Sequence, residues 1–372
     1  MTEPKTLQLI GSYAKEDAIF LLKDISDVIE ESVTEERERA IQSGTHYSEM
    51  LPIEYKPSKP YMDLFFASLE QYKRKLAIAA GIIAEQIIKT KGKKLVLVSL
   101  ARAGTPIGVL IKRYIRYQYN IDLPHYCISI IRGRGIDENA LHYILKHHPN
   151  QTIQFIDGWT GKGAIKKELR QSVYTFNEKN HEYISDCMAV LADPGHCTSI
   201  YGTREDFLIP SACLNATVSG LISRTVLNET YIGPNDFHGA KYYRERETED
   251  LSNFFIEKIT ALFPSISADV TTQLEHIIAT YTEPSWQGMQ DIASIQKHFG
   301  IENINLIKPG VGETTRVLLR RVPWKILIQG ENNPDLKHIL LLAKEKNVPV
   351  EIYKDMTYSC CGIIKPLRRT SS

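Results

Sequence analysis

From Lys94 to Asp193 the chain alternates short β-branched runs with stretches of helical periodicity, and this rhythm constrains the fold more than any other feature. "KLVLVSL" leads into "TPIGVLIKRYIRYQ", "HYCISII" into "NALHYILKHH", "TIQFID" into "GAIKKELRQSVYTF", and "CMAVLAD" closes the series. Connections this long are too long for hairpins and read as crossover helices, so consecutive βαβ units build an α/β fold: a parallel sheet with helices on both faces. In such sheets ligands bind beyond the carboxyl ends of the strands. The loops that matter are therefore "ARAG", "RGRGID", "DGWTGKG" and "DPGHC".

Each loop carries chemistry. After "IQFI", Asp157 precedes a turn with Gly158, Trp159, Thr160, Gly161, Lys162 and Gly163 that opens a helix. Its glycines permit tight or left-handed backbone, and the free N–H groups of the helix start favour a phosphate. The GxxxxGK[ST] spacing is absent, so this is no Walker loop. Asp157 sits too close to the strand for an anion site and suits ribose hydroxyls. In "ARAGTPIG", Arg102 lies between Ala101 and Ala103, with Gly104 allowing close backbone approach and Thr105 at a helix start, which makes a second anion site. Two anion sites on neighbouring strand ends suit a doubly phosphorylated sugar. The "DPGHC" loop presents Asp193, His196 and Cys197, where a carboxylate could meet a base.

Composition excludes several classes. The 372 residues carry a formal net charge of +1 and 43% hydrophobic residues, which suits ordinary globular cores in about two domains and not a disordered chain or a nucleic-acid coat. No apolar run reaches the roughly 18 residues of a membrane span, and the start lacks the layout of a signal peptide, so no membrane partner and a cytoplasmic location are expected. Six scattered cysteines without a CxxC suggest neither a disulfide framework nor a zinc ribbon. Residues 1–93 read as mostly helical, interrupted by the tyrosine- and proline-rich "SGTHYSEMLPIEYKPSKPYMD". Residues 94–265 complete the first domain, 266–299 read as a helical linker, and 300–372 as a compact α/β sandwich. From Ser285 onward the charge is +5, leaving −4 for the rest, an asymmetry that points to an anionic partner at that end.

The two strand-end loops together resemble a type I phosphoribosyltransferase, the enzymes that use phosphoribosyl pyrophosphate. The resemblance implies that Asp157 binds the ribose hydroxyls and, with water and the ligand, Mg²⁺. It assigns Thr160, Gly161, Lys162 and Gly163 to the 5′-phosphate, and Arg102, Ala103 and Gly104 to the pyrophosphate. In that family the stretch between these strands closes over the pyrophosphate, so Arg132 and Arg134 are expected to stabilise the leaving group. The family places two adjacent acids before the turn; here Asp157 is followed by Gly158, and binding without turnover stays open.

More narrowly, "GSYAKEDAIFLLKDI", "SGTHYSEMLPIEYKPS", "DGWTGKGAI" and "ADPGHC" resemble the bacterial phosphoribosyltransferase-like proteins of tellurite-resistance and stress gene clusters. That family also carries a cysteine protease label, for which Cys197 beside His196, or Cys213 with His238, are the candidates here. It makes the loop around His46, Tyr47, Glu49 and Tyr55 a hood over an acceptor base. The tail resembles the Pelota-type RNA-binding domain: "GVGETTR" places Gly310, Gly312, Glu313 and Arg316 where that family grips RNA, with Arg320 extending the basic face. Gly312 replaces the family's asparagine. Expectations are thus a phosphoribosyltransferase, a nucleotide-sensing RNA-binding regulator, or a thiol hydrolase, with RNA as partner and a homodimer as a further expectation.

Overall fold

The computed structural model describes residues 9–54 and 56–365, apart from a few side chains that include Arg320. Tyr55 and residues 366–372 lie outside the described residues. The first part of the chain contributes short strands β1 (Ile19–Phe20), β2 (Lys23–Asp24) and β3 (Glu31–Ser32), helix α1 (Thr34–Gln42), strand β4 (Leu51–Pro52) and the long helix α2 (Lys59–Lys91). Pro60 in the first turn of α2 needs no N–H partner, and Gly92 at φ 76° ends the helix. The βαβ series follows: β5 (Leu95–Ala101), α3 (Gly104–Tyr119), β6 (His125–Ile131), β7 (Gly135–Ile136), α4 (Glu138–His147), β8 (Thr152–Trp159), α5 (Ala164–Asn180), β9 (Met188–Ala192) and β10 (Ile200–Thr203). Strand β11 (Gly239–Ala240) pairs with β2, and helices α6 (Ser252–Thr260) and α7 (Ser267–Ala279) complete this part.

The principal sheet runs β1-β6-β5-β8-β9-β10 with every neighbouring pair parallel, and β7 adds an antiparallel partner to β6. Strand β5 shows why it is covered on both faces. Leu95 and Leu97 enter the core beneath α2, α3, α6 and α7, whereas Val96, Val98 and Leu100 enter the one beneath α4 and α5. A strand with a period of two and apolar residues at every position can only be satisfied between two helical layers. Each fully buried Leu, Ile or Val contributes roughly 1.5–3 kcal/mol. The fold class is the α/β one read from the sequence.

The first 93 residues depart from their helical reading. Four two-residue strands lie there, and β1 pairs with β6 through Ile19 and Phe20, using backbone groups that would otherwise stand open at the sheet edge. The expected linker is also divided. Val270 of α7 is buried in the first core, whereas helix α8 (Gln287–His298) sends Ile292 and Ile295 into a separate core with Ile307, Leu327 and Ile363.

The tail comprises α8, β12 (Ile307–Pro309), α9 (Val311–Arg320), β13 (Pro323–Ile328), α10 (Lys337–Glu345), β14 (Val350–Ile352) and β15 (Cys360–Ile364), in a sheet ordered β12-β15-β13-β14. The last strand occupies an interior position, antiparallel to both β12 and β13. The tail does not hang free. Val311, Leu318 and Cys360 share one buried cluster with Phe207, Leu208 and Cys213 of the first domain. No helix among the described residues is long and apolar enough to cross a membrane.

Candidate functional site

Strand order reverses between β5 and β8, because the chain proceeds from β5 to β6 on one side and from β8 to β9 on the other. The carboxyl ends of β5 and β8 therefore splay into a crevice at a topological switch point. Both expected loops sit there, side by side. A Cβ on Gly104 would lie 2.4 Å from the Ile156 carbonyl oxygen, and one on Gly158 would lie 3.1 Å from that of Ala103, so glycine at both positions lets the loops abut. The Ala101–Arg102 peptide is cis.

Arg102 and Asp157 face a cavity of about 1200 Å³. Arg102 donates to the Ile222 carbonyl at 3.2 Å and lies 3.6 Å from the carboxylate of Glu54. Glu54 is buried and accepts the Ala216 N–H at 3.0 Å, and its carbonyl accepts from Arg246 at 2.8 Å. Asp157 is 8% exposed; its Oδ1 accepts the Gly158 N–H at 2.8 Å, and burial pushes its carboxyl up to about 7. Trp159 presents its ring to the cavity, with the Arg316 guanidinium 5.2 Å from the ring centroid.

Sequence reasoning missed much of the lining. Arg37 of α1, with Lys56, Arg224 and Arg246, reaches the cavity from parts of the first domain that carry no motif. Lys308, Arg316 and Arg321 add to it from the tail, so among the described residues eight cationic side chains face three carboxylates, Glu54, Asp157 and Glu313. Arg224 packs 4.6 Å over the Tyr47 ring and donates to the Tyr47 carbonyl at 2.9 Å; burial lowers its pKa to about 10. The expected hood thus orients a cation at the cavity wall.

Several sequence-derived site residues take other places. Thr105 is fully buried, and Asp193 is fully buried in a cage that includes Thr160 Oγ1, the N–H groups of Cys197 and Thr198 at 2.9 and 3.2 Å, and Arg204 at 2.5 Å. Asp193 therefore braces the "DPGHC" turn and does not line the cavity. Arg132 donates to Asn305 at 3.1 Å, and Arg134 pairs with Glu49 at 2.6 Å; neither lines the cavity. The reason is the β6–β7 hairpin, which Glu168 pins by accepting the Gly133 and Gly135 N–H groups at 2.7 and 3.0 Å. It is a tied turn and not a flap.

The glycine turn itself is roofed by the tail. Lys162 donates to the Ile304 carbonyl at 2.9 Å and to Asn305 at 3.2 Å, and burial lowers its pKa to about 8. Tyr358 donates to the Gly161 carbonyl at 3.0 Å, and Gly163, at φ 76°, lies under Trp286, where a Cβ would come within 2.5 Å of the ring. The tail's own motif faces inward too. Gly310 and Gly312 pack on Asp206 and Ala212; Glu313 pairs with Arg316 at 2.8 Å, and Arg316 Nε donates to the Ala212 carbonyl at 3.1 Å. The backbone of Arg320 lies on α9, but its side chain is outside the described residues.

The two candidate thiols, Cys197 and Cys213, are both buried. Burial pushes Cys197 up to about 12, and its Sγ donates to the Gly195 carbonyl at 3.3 Å. Cys213 is fully buried, while His238 bonds Ser129 Oγ through Nδ1 at 2.9 Å. Cys187 alone among the six is only half-buried. Iodoacetamide at neutral pH should therefore modify the native protein at Cys187 first, as peptide mass mapping would read; prior modification of Cys197 would show an accessible thiolate there.

The fold and the crevice define a two-domain α/β protein whose cationic strand-end site is roofed by a small α/β domain. The chain belongs to the family described as tellurite-like stress resistance cysteine protease StiP, which matches residues 11–260, and residues 286–366 match the PELOTA RNA binding domain. A protein of Acinetobacter baylyi named cysteine protease StiP is 34% identical over 359 residues, which cover 93% of this chain and 91% of that protein. Among solved structures, a hypoxanthine-guanine-xanthine phosphoribosyltransferase is 9% identical at a TM-score of 0.21, over 32% of this chain and 63% of its own. A hypothetical protein from Neisseria gonorrhoeae with bound ppGpp is 13% identical at a TM-score of 0.21, over 32% and 66%. At that score neither likeness carries an argument about this chain.

Proposed function

We propose that the first domain is a phosphoribosyltransferase that uses phosphoribosyl pyrophosphate to make or break an N-glycosidic bond. The observation that supports it is the contact of the Arg102 loop with the Asp157 loop at the switch point, beneath a strongly cationic cavity. Asp157 accepts from the ribose hydroxyls, and Arg102, Arg224 and Arg246 attract the pyrophosphate. As the C1–O bond breaks, its electron pair leaves with pyrophosphate; the acceptor nitrogen supplies the pair for the new C1–N bond, and its proton goes to water. The transition state is oxocarbenium-like, so positioned cations and backbone donors matter more than a nucleophile.

Mg²⁺ fits as a passenger of the ligand. Among the described residues no group of three or more His, Cys, Asp or Glu could hold a metal, but Asp157 turns a carboxylate toward the cavity with one oxygen already bonded to Gly158. One carboxylate, waters and substrate phosphates are the usual Mg²⁺ set. Bound there, the ion would neutralise charge developing on pyrophosphate.

The test is calorimetric titration of the intact chain with phosphoribosyl pyrophosphate and Mg²⁺, followed by nucleobase additions while pyrophosphate is assayed. Binding with release is the expected result. Binding without release favours the sensor reading, which the single acid at Asp157 supports. Absence of binding, with peptide cleavage lost in Cys197→Ala or Cys213→Ala, would transfer the function to the thiol hydrolase of the family's name. RNA enters this reading as a partner of the tail.

A further inference from the structure

The cavity is larger than one small ligand needs, since pockets for drug-sized molecules run from about 300 to 1000 Å³, and this one holds about 1200 Å³. Its cations also fall into two groups. Arg102 lies with Asp157 on the strand ends, whereas Lys308 of β12, Arg316 of α9 and Arg321 come from the tail. We propose that these tail residues form a second anion subsite that holds the phosphate of a nucleotide beside the ribosyl donor. Its use as an acceptor site rests on the transferase reading above; its existence does not.

Three observations carry the subsite. Lys308 is half-buried at the wall and has no hydrogen-bond or salt-bridge partner for its ammonium among the described residues. Burial, with Arg132, Arg321 and Arg316 nearby, lowers its pKa, and Glu313 offsets this only in part. A cation held unpaired among cations is stabilised by an incoming phosphate. Next to it, the Trp159 ring and the Arg316 guanidinium give a planar apolar and cationic surface on which a base can stack. Finally, Glu313 and Arg316 look into the cavity, and Gly310 and Gly312 are packed against the first domain. A duplex roughly 20 Å across cannot reach them there, because groove readout needs an open face; one nucleotide unit can. That unit is either a free mononucleotide or the phosphorylated end of a single RNA strand.

The experiment is calorimetry of the intact chain with the four nucleoside 5′-monophosphates, the matching nucleosides, and a short 5′-phosphorylated single-stranded oligoribonucleotide. Binding of a monophosphate or of the oligonucleotide supports the subsite and identifies the source of the phosphate. The matching nucleoside should bind at least tenfold more weakly. Lys308→Ala and Arg321→Ala should each weaken the phosphorylated ligand about tenfold or more, and Lys308→Arg should restore most of it. Equal affinity for nucleoside and nucleotide, or affinity kept by both alanine variants, overturns the proposal, as does failure of every phosphorylated ligand to bind. Phosphoribosyl pyrophosphate is titrated separately against Asp157→Asn. If it fails to bind wild-type protein while a nucleotide binds in a Lys308-dependent way, the transferase reading falls and the subsite stands.

Discussion

Asp157→Asn should lose phosphoribosyl pyrophosphate and yet melt at a higher temperature than the wild type at pH 7.5. Burial keeps the Asp157 proton bound to about pH 7, well above the ordinary 3.8 of a free aspartate side chain. Between those values the folded state binds more protons than the unfolded state, so stability falls as pH rises across the window, and above pH 7 the whole cost of the buried charge is present. Asparagine removes that cost. A gain of about 1–3 kcal/mol is expected at pH 7.5 and little or none near pH 3, below both values. Affinity for the ligand should fall about 30-fold or more, since a charged acceptor is replaced by a neutral one in a desolvated site. Thermal melts at both pH values, with calorimetry at the higher, read the two effects. A variant that is destabilised at pH 7.5, or that binds as the wild type does, would remove Asp157 from the site.

Asp206→Ala should have the largest effect on how the two domains hold together. Oδ1 of Asp206 accepts the Val311 N–H at 2.9 Å, at the start of α9, while Oδ2 accepts the Ser359 N–H at 2.8 Å. Its carbonyl also takes the Ser359 hydroxyl at 3.0 Å. Alanine strands two backbone donors at the seam, which costs about 2–4 kcal/mol. Each domain keeps a core away from the seam, around Val96, Val98 and Phe155 in the first and around Ile292, Ile295 and Leu327 in the tail, so both stay folded. The expected phenotype is therefore loosened docking: faster proteolytic cleavage between α7 and α8, and weaker ligand binding as the roof lifts from Lys162 and Gly163. Limited proteolysis beside a melting curve checks it. Unchanged cleavage and unchanged binding would show that the tail is held without this carboxylate.

How much was legible in the sequence depended on whether a signal was local. The run "KLVLVSL" is apolar at every position and flanked by helix-length segments, so β5 between two helical layers followed from periodicity alone. Asp157 and Arg102 were found because their loops must lie at carboxyl ends of parallel strands. By contrast, "CCGII" is too short and too near the end to announce that β15 lies between β12 and β13, since strand order depends on long-range pairing. Arg132 and Arg134 looked like a mobile cationic loop because composition shows charge but not the Glu168 carboxylate that ties it down. The buried cage around Asp193 was equally hidden, since Arg204 and Thr160 come from separate turns.

The sequence by itself determined the α/β alternation, the strand-end loops with their glycines, and a basic tail carrying the "GVGETTR" motif, because each is written in contiguous residues whose backbone and charge preferences act locally. Tertiary structure alone decided that the tail faces inward, placing Lys308, Arg316 and Arg321 with Arg102 and Asp157 around one cavity. That outcome rests on Asp206, Tyr358 and a shared apolar cluster joining residues more than a hundred positions apart. Contacts at such separation are set by complementary surfaces that exist only once both domains have folded, and no local pattern encodes them.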